Sequence, residues 1–296
     1  MQCPVCGSGN FTRIPYPGRI PRNERLAFEN IALCSECATG VAEPRVAQSD
    51  LDRFYASGAY WHLSGSNGDQ VAHESSQSKL RAGYCLPYLT APAGLRVLDV
   101  GAGHGFIADW LESAARGKVQ NYDFIEPDDA TAAGIARRPR AFAVKRLSSM
   151  VLAEAEAPYD LVFVNHVLEH VADPVEFMAR LISFMKRDGV AYVETPHSDY
   201  RYKDDVFPHT LFFTERSFAR LADRLGVRQL ECSAFGAWPG SRQGISQPAF
   251  RLLSIALRVS VMMRLRFIQR MIDRAIWRYG SHADGIWLRW VFRRGE

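Results

Sequence analysis

The sequence offers little that would take it out of an aqueous globular fold. No run of about 18 apolar residues occurs, the length a membrane helix needs. The best stretch, Leu252 to Met263, is too short and carries Arg258. The opening Met1-Gln2-Cys3-Pro4 has neither a basic segment nor an apolar one, so no targeting signal is expected and the expected compartment is the cytoplasm. Charge of one sign is also scarce. Lys and Arg total 36 against 32 Asp and Glu, a net +4 over 296 residues. That surplus is too weak to point to nucleic acid. Internal repeats and low-complexity tracts are missing. A 47% hydrophobic and 23% charged composition excludes a disordered chain, a collagen-like repeat and a coiled-coil rod. The length suits two domains, or one large domain and a small one.

Cysteine is sparse but patterned. Four of the six form Cys3-x-x-Cys6 and Cys34-x-x-Cys37. Each pair fits a tight turn that aims two thiolates at one ion, and two such turns complete a tetrahedral Zn²⁺ site. A reducing compartment favours metal over disulfides. Four thiolates leave no open coordination position, so the expected zinc is structural. Residues 1–45 are too few for a strong core, and the metal would supply the missing stability. Cys85 and Cys232 stand apart and read as core residues.

Residues 46–90 read as a linker and helical cap. They hold Tyr60 and a Gly-Ser-Asn-Gly loop, with a helix expected over Ser78 to Leu89. From residue 91 to 240 strands and helices alternate. Strands are expected at Leu95–Val100, Val119–Ile125, Tyr159–Val164, Val190–Glu194 and Val227–Phe235. Helices are expected at His104–Ala115, after Asp128, at Val175–Met185 and at Thr214–Leu225. Asp173-Pro174 is an N-cap and first-turn pair, and Gly189 reads as a helix stop. Alternation of this kind implies an α/β fold, a doubly wound and mostly parallel sheet. Residues 241–296 read as a basic helical appendage, with eleven Arg against three acids and with Phe267, Trp277, Trp287, Trp290 and Phe292 interleaved. Such helices suit packing on the domain, a homodimer face or contact with an anionic membrane surface.

The informative run is Val97-Leu98-Asp99-Val100-Gly101-Ala102-Gly103-His104-Gly105-Phe106. A buried strand enters a glycine turn that opens a helix, where backbone N–H groups are free for a ligand. Phe106 occupies the place of a dinucleotide fingerprint's third glycine, and no Gly-Lys-Ser/Thr follows. Glu126 lies 25 residues beyond Gly101, at the end of the second strand. A carboxylate there can accept both hydroxyls of a ribose.

Together VLDVGAGHGF, FIEPD and YDLVFVNHVLEHVADP resemble a class I S-adenosylmethionine-dependent methyltransferase over residues 78–236. The resemblance implies a Rossmann-like sheet of seven strands with the cofactor at its carboxyl edge. It implies that Gly101, Ala102, Gly103 and Gly105 pass under the methionine moiety, that Asp99 steadies the loop and that Glu126 holds the ribose. Asn165 and His166 would face the cofactor. It also implies methyl transfer to a small molecule at a hydroxyl or activated carbon.

Such a transfer needs alignment and a proton acceptor, and histidine is the natural acceptor near neutral pH. His166, His197 and His209 are the candidates, with His170 structural. The Phe207–Glu215 segment is similar to the Glu-His-x-x-Tyr/Phe loop of zinc-containing sugar C-methyltransferases, which also begin with CxxC pairs. That similarity implies His209 as base and a sugar or glycan precursor as acceptor. Tyr60, His197 and His209 are the candidate acceptor contacts. An rRNA base methyltransferase is the alternative enzyme; the Asn-Pro-Pro-Tyr arrangement used for base amino groups is replaced by Asn165-His166-Val167-Leu168. A scaffold that binds cofactor without chemistry is the alternative outside catalysis.

Overall fold

The computed structural model describes residues 1–18, 26–57, 75, 78–79, 81–91, 93–148, 156–236 and 285–295. In chain order the strands are β1 (Phe11–Pro15), β2 (Asn30–Cys34), β3 (Gly40–Glu43), β4 (Leu95–Val100), β5 (Val119–Ile125), β6 (Ala143–Arg146), β7 (Tyr159–Asn165), β8 (Met185–Pro196), β9 (Leu211–Phe212), β10 (Arg228–Phe235) and β11 (Trp287–Arg293). Helices discussed below are α1 (Gln48–Ala56), α2 (Phe106–Ala114), α3 (Asp129–Ala136), α4 (Pro174–Ser183) and α5 (Glu215–Leu225).

Seven strands form one mixed sheet in the order β10-β11-β8-β7-β4-β5-β6. The five from β8 to β6 are parallel, and β11 runs antiparallel to both β8 and β10. The chain winds outward from β4 to β6, then returns beside β4 as β7. The crevice at the carboxyl ends of β4 and β7 is therefore the topological switch point, where open α/β sheets bind ligands.

Alternate residues of the central strands fill two cores. Leu98, Val100, Val162 and Val164 join Met178 and Leu181 of α4 and Phe218 and Leu221 of α5 on one face. Val97, Leu161 and Phe163 join Ile107, Ala108 and Leu111 of α2 on the other. Burial on both faces explains the near-continuous apolar runs of β4 and β7. Asp128 caps α3 and Asp173 caps α4, each side chain accepting from backbone N–H groups of the first turn. Thr214 and Ser217 form a capping box on α5.

The four-cysteine segment folds against the first face, with Cys3, Val5, Cys34 and Cys37 in the same core as α5. Its three strands are joined by β9 in a second sheet of order β1-β2-β3-β9. This fourth strand comes from the far side of the sequence.

The structure differs from the sequence expectations in three places. Trp287–Arg293, expected within a helical appendage, is strand β11, inserted between β8 and β10. Its alternation buries Leu288, Trp290 and Phe292 in the first core and Val291 in the second, so a period of two outweighs the helical pattern upstream. The remainder of the appendage, with its expected dimer or membrane face, lies outside the described residues, as does Tyr60. Gly189 does not stop a helix. The helix ends at Ser183, and β8 begins at Met185 and bulges between its pairings with Tyr159 and Leu161. A Cβ at Gly189 would lie 2.9 Å from the Lys186 and Tyr159 carbonyl oxygens, so the bulge requires glycine. Strand β6, short and largely exposed, had no periodic signal. No helix among the described residues is long and apolar enough to cross a membrane.

Candidate active site

The glycine loop sits at the end of β4, as its sequence suggested. Gly101, Gly103 and Gly105 all have positive φ, at 71°, 52° and 70°. A Cβ at Gly101 would meet Cγ2 of Val167 at 2.3 Å, and one at Gly105 would meet Ile135 at 2.8 Å. Both positions therefore demand glycine for conformation and for space. The backbone N–H groups of Gly101 and Ala102 donate to the Ile125 carbonyl at 2.8 and 3.1 Å, tying the loop to β5. Glu126, buried, accepts from the Gly103 N–H at 2.9 Å and from the Asp128 N–H at 3.1 Å. It thus braces the loop from the neighbouring strand. Asp99, expected to steady the loop, accepts from the Tyr122 hydroxyl of β5.

Beside the loop, β7 ends in Asn165 and His166. The side-chain Oδ1 and Nδ2 of Asn165 are buried without a hydrogen-bond partner. A buried amide left unpaired costs free energy, which a bound polar ligand would recover. His166 has φ 54°, rare for a non-glycine residue, and its N–H donates to the Glu194 carbonyl at 2.8 Å. Its ring lies between two carboxylates. Nδ1 is 3.2 Å from Glu169 Oε1 and Nε2 is 3.2 Å from Glu194 Oε1. Burial alone would lower its pKa, but hydrogen bonds to Glu169 and Glu194 raise it to about 9. The protonated form is therefore favoured near neutral pH.

Glu194 is fully buried and also meets the Arg81 guanidinium and the Tyr192 hydroxyl, the latter at 2.6 Å. Burial favours its neutral form, but Arg81 and His166 hold it well below the usual carboxylate range. His170 accepts or donates at 2.6 Å to the Tyr55 hydroxyl of α1. Burial first, then the neighbouring histidines, push its pKa down to about 3.

His209 stands in the Val206–Thr210 segment that leads into β9, and 9% of its surface is exposed. Its Nδ1 is 3.1 Å from Oδ2 of Asp199, which Lys203 Nζ approaches to 2.9 Å, contacts of distance without the alignment of a hydrogen bond. Burial would raise the Asp199 pKa, but His209 and Lys203 hold it well below the ordinary value. The His209 and His170 rings meet edge-on at 4.9 Å between centroids. Glu169, His170 and His209 each bring one polar atom within 4.8 Å of the others. Asp199, His209, Glu169, His166, Glu194 and Arg81 therefore form one continuous polar network along the carboxyl edges of β7 and β8.

His197 does not join it. Its Nδ1 bonds the Gly285 carbonyl at 2.8 Å and its Nε2 faces Glu215 at 3.4 Å. That ring fastens β8 to the chain entering β11. Asp199, Glu169, Glu194 and Arg81 were not anticipated. Leu168-Glu169-His170 at the end of β7 was the available signal for one of them; the others depend on tertiary contacts.

The four cysteines converge. Cys3 and Cys37 Sγ are 3.5 Å apart, as are Cys6 and Cys34, and all four lie within 4.8 Å of one another. Zinc–sulfur bonds of about 2.3 Å in a tetrahedron place sulfurs about 3.8 Å apart, so the donor set and spacing suit Zn²⁺. Thr39 Oγ1 lies 3.0 Å from Cys37 Sγ.

A model of the methyltransferase domain family matches residues 72–231, and the chain belongs to that family. The ubiquinone biosynthesis O-methyltransferase of Rhizobium rhizogenes is 30% identical over 166 residues, 52% of this chain and 65% of the relative. Its namesake from Caulobacter vibrioides is 32% identical over 110 residues, 34% and 41% of the two chains. The chain thus spans about 41% to 65% of the length of these curated relatives. They carry the name of O-methyltransferases, whereas the sequence resemblance above was to sugar C-methyltransferases. The 1,6-didemethyltoxoflavin-N1-methyltransferase of Burkholderia thailandensis, solved with its substrate and S-adenosylhomocysteine, shares the fold with a TM-score of 0.53. It is 16% identical, with 95% of this chain and 100% of that chain covered.

Proposed function

We propose that the chain transfers a methyl group from S-adenosylmethionine to a hydroxyl of a small-molecule acceptor, with His209 receiving the acceptor's proton. The observation that carries this is the Asp199–His209 pair beside the glycine loop edge of the sheet. Gly101, Ala102, Gly103 and Gly105 would hold the methionine moiety and Glu126 the ribose, by the same logic as other doubly wound nucleotide sites. The unpaired Asn165 amide supports a polar ligand there. The bound cofactor supplies an electrophilic methyl group, so the chain's own work is alignment and proton removal. With Nδ1 turned toward the Asp199 carboxylate at 3.1 Å, Nε2 of His209 is the nitrogen assigned to take the proton. His166, favoured in its protonated form, orders Glu169 and Glu194 and does not act as the base.

Hydroxyl transfer is favoured over carbon or nitrogen because the curated relatives are named O-methyltransferases. The four cysteines hold a structural Zn²⁺, and the cytoplasm is the compartment that keeps them reduced. Transfer of labelled methyl from S-adenosylmethionine, tested across phenols, catechols and sugar derivatives, checks the proposal. Product from no hydroxyl in the panel, with product from a carbon or amine acceptor, would overturn the hydroxyl assignment.

A further inference from the structure

The segment that carries His209 is held on one side by the four-cysteine module. Tyr16, just past β1, shares its hydroxyl proton between the carbonyls of Val206 at 3.1 Å and His209 itself at 2.9 Å. The Val206 N–H donates to the Pro17 carbonyl at 3.2 Å, and the Ala42 N–H of β3 donates to the Thr210 carbonyl at 2.9 Å. Strand β9 then pairs with β3 in the register Gly40↔Phe212 and Val41↔Leu211. The approach is close: a Cβ at Gly40 would lie 2.9 Å from Ile31 Cγ2 and 3.0 Å from Phe212 Cβ. The cysteine knuckles grip the next stretch. Ser217 Oγ donates to the Cys37 carbonyl at 3.2 Å, and Arg224 donates to the Pro4 and Val5 carbonyls at 3.1 Å.

The opposite side of the same segment faces the polar network. The Thr210 N–H and hydroxyl both donate to the Glu169 carbonyl, at 2.8 and 3.0 Å. His209 is thus clamped between two bodies. The Asp199 carboxylate lies beside its ring, the turn at Glu169 sets one flank of its backbone, and Tyr16 with β3 sets the other. Tyr16 packs on Phe28 at 5.0 Å and edge-on to Phe212 at 6.1 Å. Burial, with Asp199 and Asp205 nearby, raises its pKa, so the hydroxyl stays a donor across the working pH range. A buried donor satisfying two carbonyls at once holds a loop more tightly than packing alone, because releasing it leaves both acceptors unpaired.

We propose that the cysteine module is a positioning device for His209, acting through Tyr16 and the β3–β9 pairing. Tyr16 is then a positioning residue, and the module is part of the reacting apparatus rather than a separate stabilising appendage. The proposal rests on His209 being the base.

Tyr16→Phe keeps the ring and deletes the hydroxyl. Gly40→Ala keeps Tyr16 and presses β3 away from β9. Both are compared with wild type by amide hydrogen exchange over residues 206–212, by kcat, by cofactor affinity in calorimetry and by zinc content. The expected result is exchange about tenfold faster in that segment, the scale of one lost hydrogen bond. A kcat about tenfold lower should accompany it, with cofactor affinity and zinc content unchanged. Unchanged exchange in both variants overturns the proposal. Faster exchange with kcat intact also overturns it when His209→Ala is inactive. When His209→Ala is itself fully active, the base assignment has failed, and the faster exchange upholds the module's hold on the segment.

Discussion

Oδ2 of Asp199 lies 3.1 Å from Nδ1 of His209, and both side chains are buried. A carboxylate at that distance stabilises the imidazolium that forms when a histidine base accepts a proton. His209→Ala should lower kcat by about 10²–10⁴-fold. Asp199→Asn should lower it by at least about tenfold with the ring still in place, since the neutral amide no longer stabilises the imidazolium. Cofactor affinity should change little in either variant, because the glycine loop and Glu126 lie on β4 and β5. Steady-state kinetics beside calorimetric titration separate the two effects. A Asp199→Asn enzyme with wild-type kcat would show that the pair is structural only.

The glycine loop makes a sharper steric prediction. Gly101→Ala places a methyl group 2.3 Å from Val167 Cγ2 at a φ of 71°, and Glu126→Ala removes the acceptor for the Gly103 N–H. Both should weaken S-adenosylmethionine and S-adenosylhomocysteine binding by tenfold or more, the first through strain and the second through a loosened loop and lost ribose contacts. Titration calorimetry with either ligand reads this directly. Wild-type affinity in both variants would remove the cofactor site from this edge of the sheet.

Where burial follows a simple period, the sequence was sufficient. Leu95–Val100 and Val119–Ile125 form strands with the expected bounds, because each is a short, mostly apolar stretch closed by turn residues. The glycine loop was legible for the same reason: three glycines after a buried strand have few other uses. Strand β11 was not legible. It takes its place by filling the gap between β8 and β10, contacts across about fifty to about a hundred residues that no local window contains. The site shows the same division. His209 and His166 are conspicuous as residue types, yet the carboxylates beside them, Asp199, Glu169 and Glu194, are brought in by the fold from the ends of β7 and β8.

The cysteine cluster predicts its own chemistry. One Zn²⁺ per chain should be found by elemental analysis of the purified protein. Cys34→Ser removes one of four donors and should lower both zinc content and the melting temperature. Because the module touches the His209 segment, the loss of metal should also slow turnover while leaving cofactor affinity intact. Four oxidised cysteines and no metal in protein purified under reducing conditions would contradict the assignment.

His166 supplies a pH-dependent test that needs no substrate. Its folded pKa is raised to about 9 by Glu169 and Glu194 against the opposing effect of burial, whereas an unfolded histidine titrates near about 6.5. A raised folded value means that its contribution to stability is complete below about pH 6.5 and is lost as the pH climbs through about 9. His170 has the opposite sign. Burial lowers it to about 3, so its contribution is complete above about pH 6.5 and is lost as the pH falls toward about 3. From these two residues stability should peak near neutrality and fall on the alkaline side by on the order of 2 kcal/mol. His166→Gln keeps a hydrogen-bonding side chain and deletes the titration. Its melting temperature should be several degrees below wild type at pH 6.5, because Glu169 and Glu194 lose the cation they share. The gap should close as the pH approaches 9.5. Thermal melts of both proteins between pH 6 and 9.5 measure it, and taking the difference cancels the thiols and tyrosines common to both. Two curves that stay parallel across that range would mean that His166 is not held as a cation, and it would then return as a rival to His209 for the role of base.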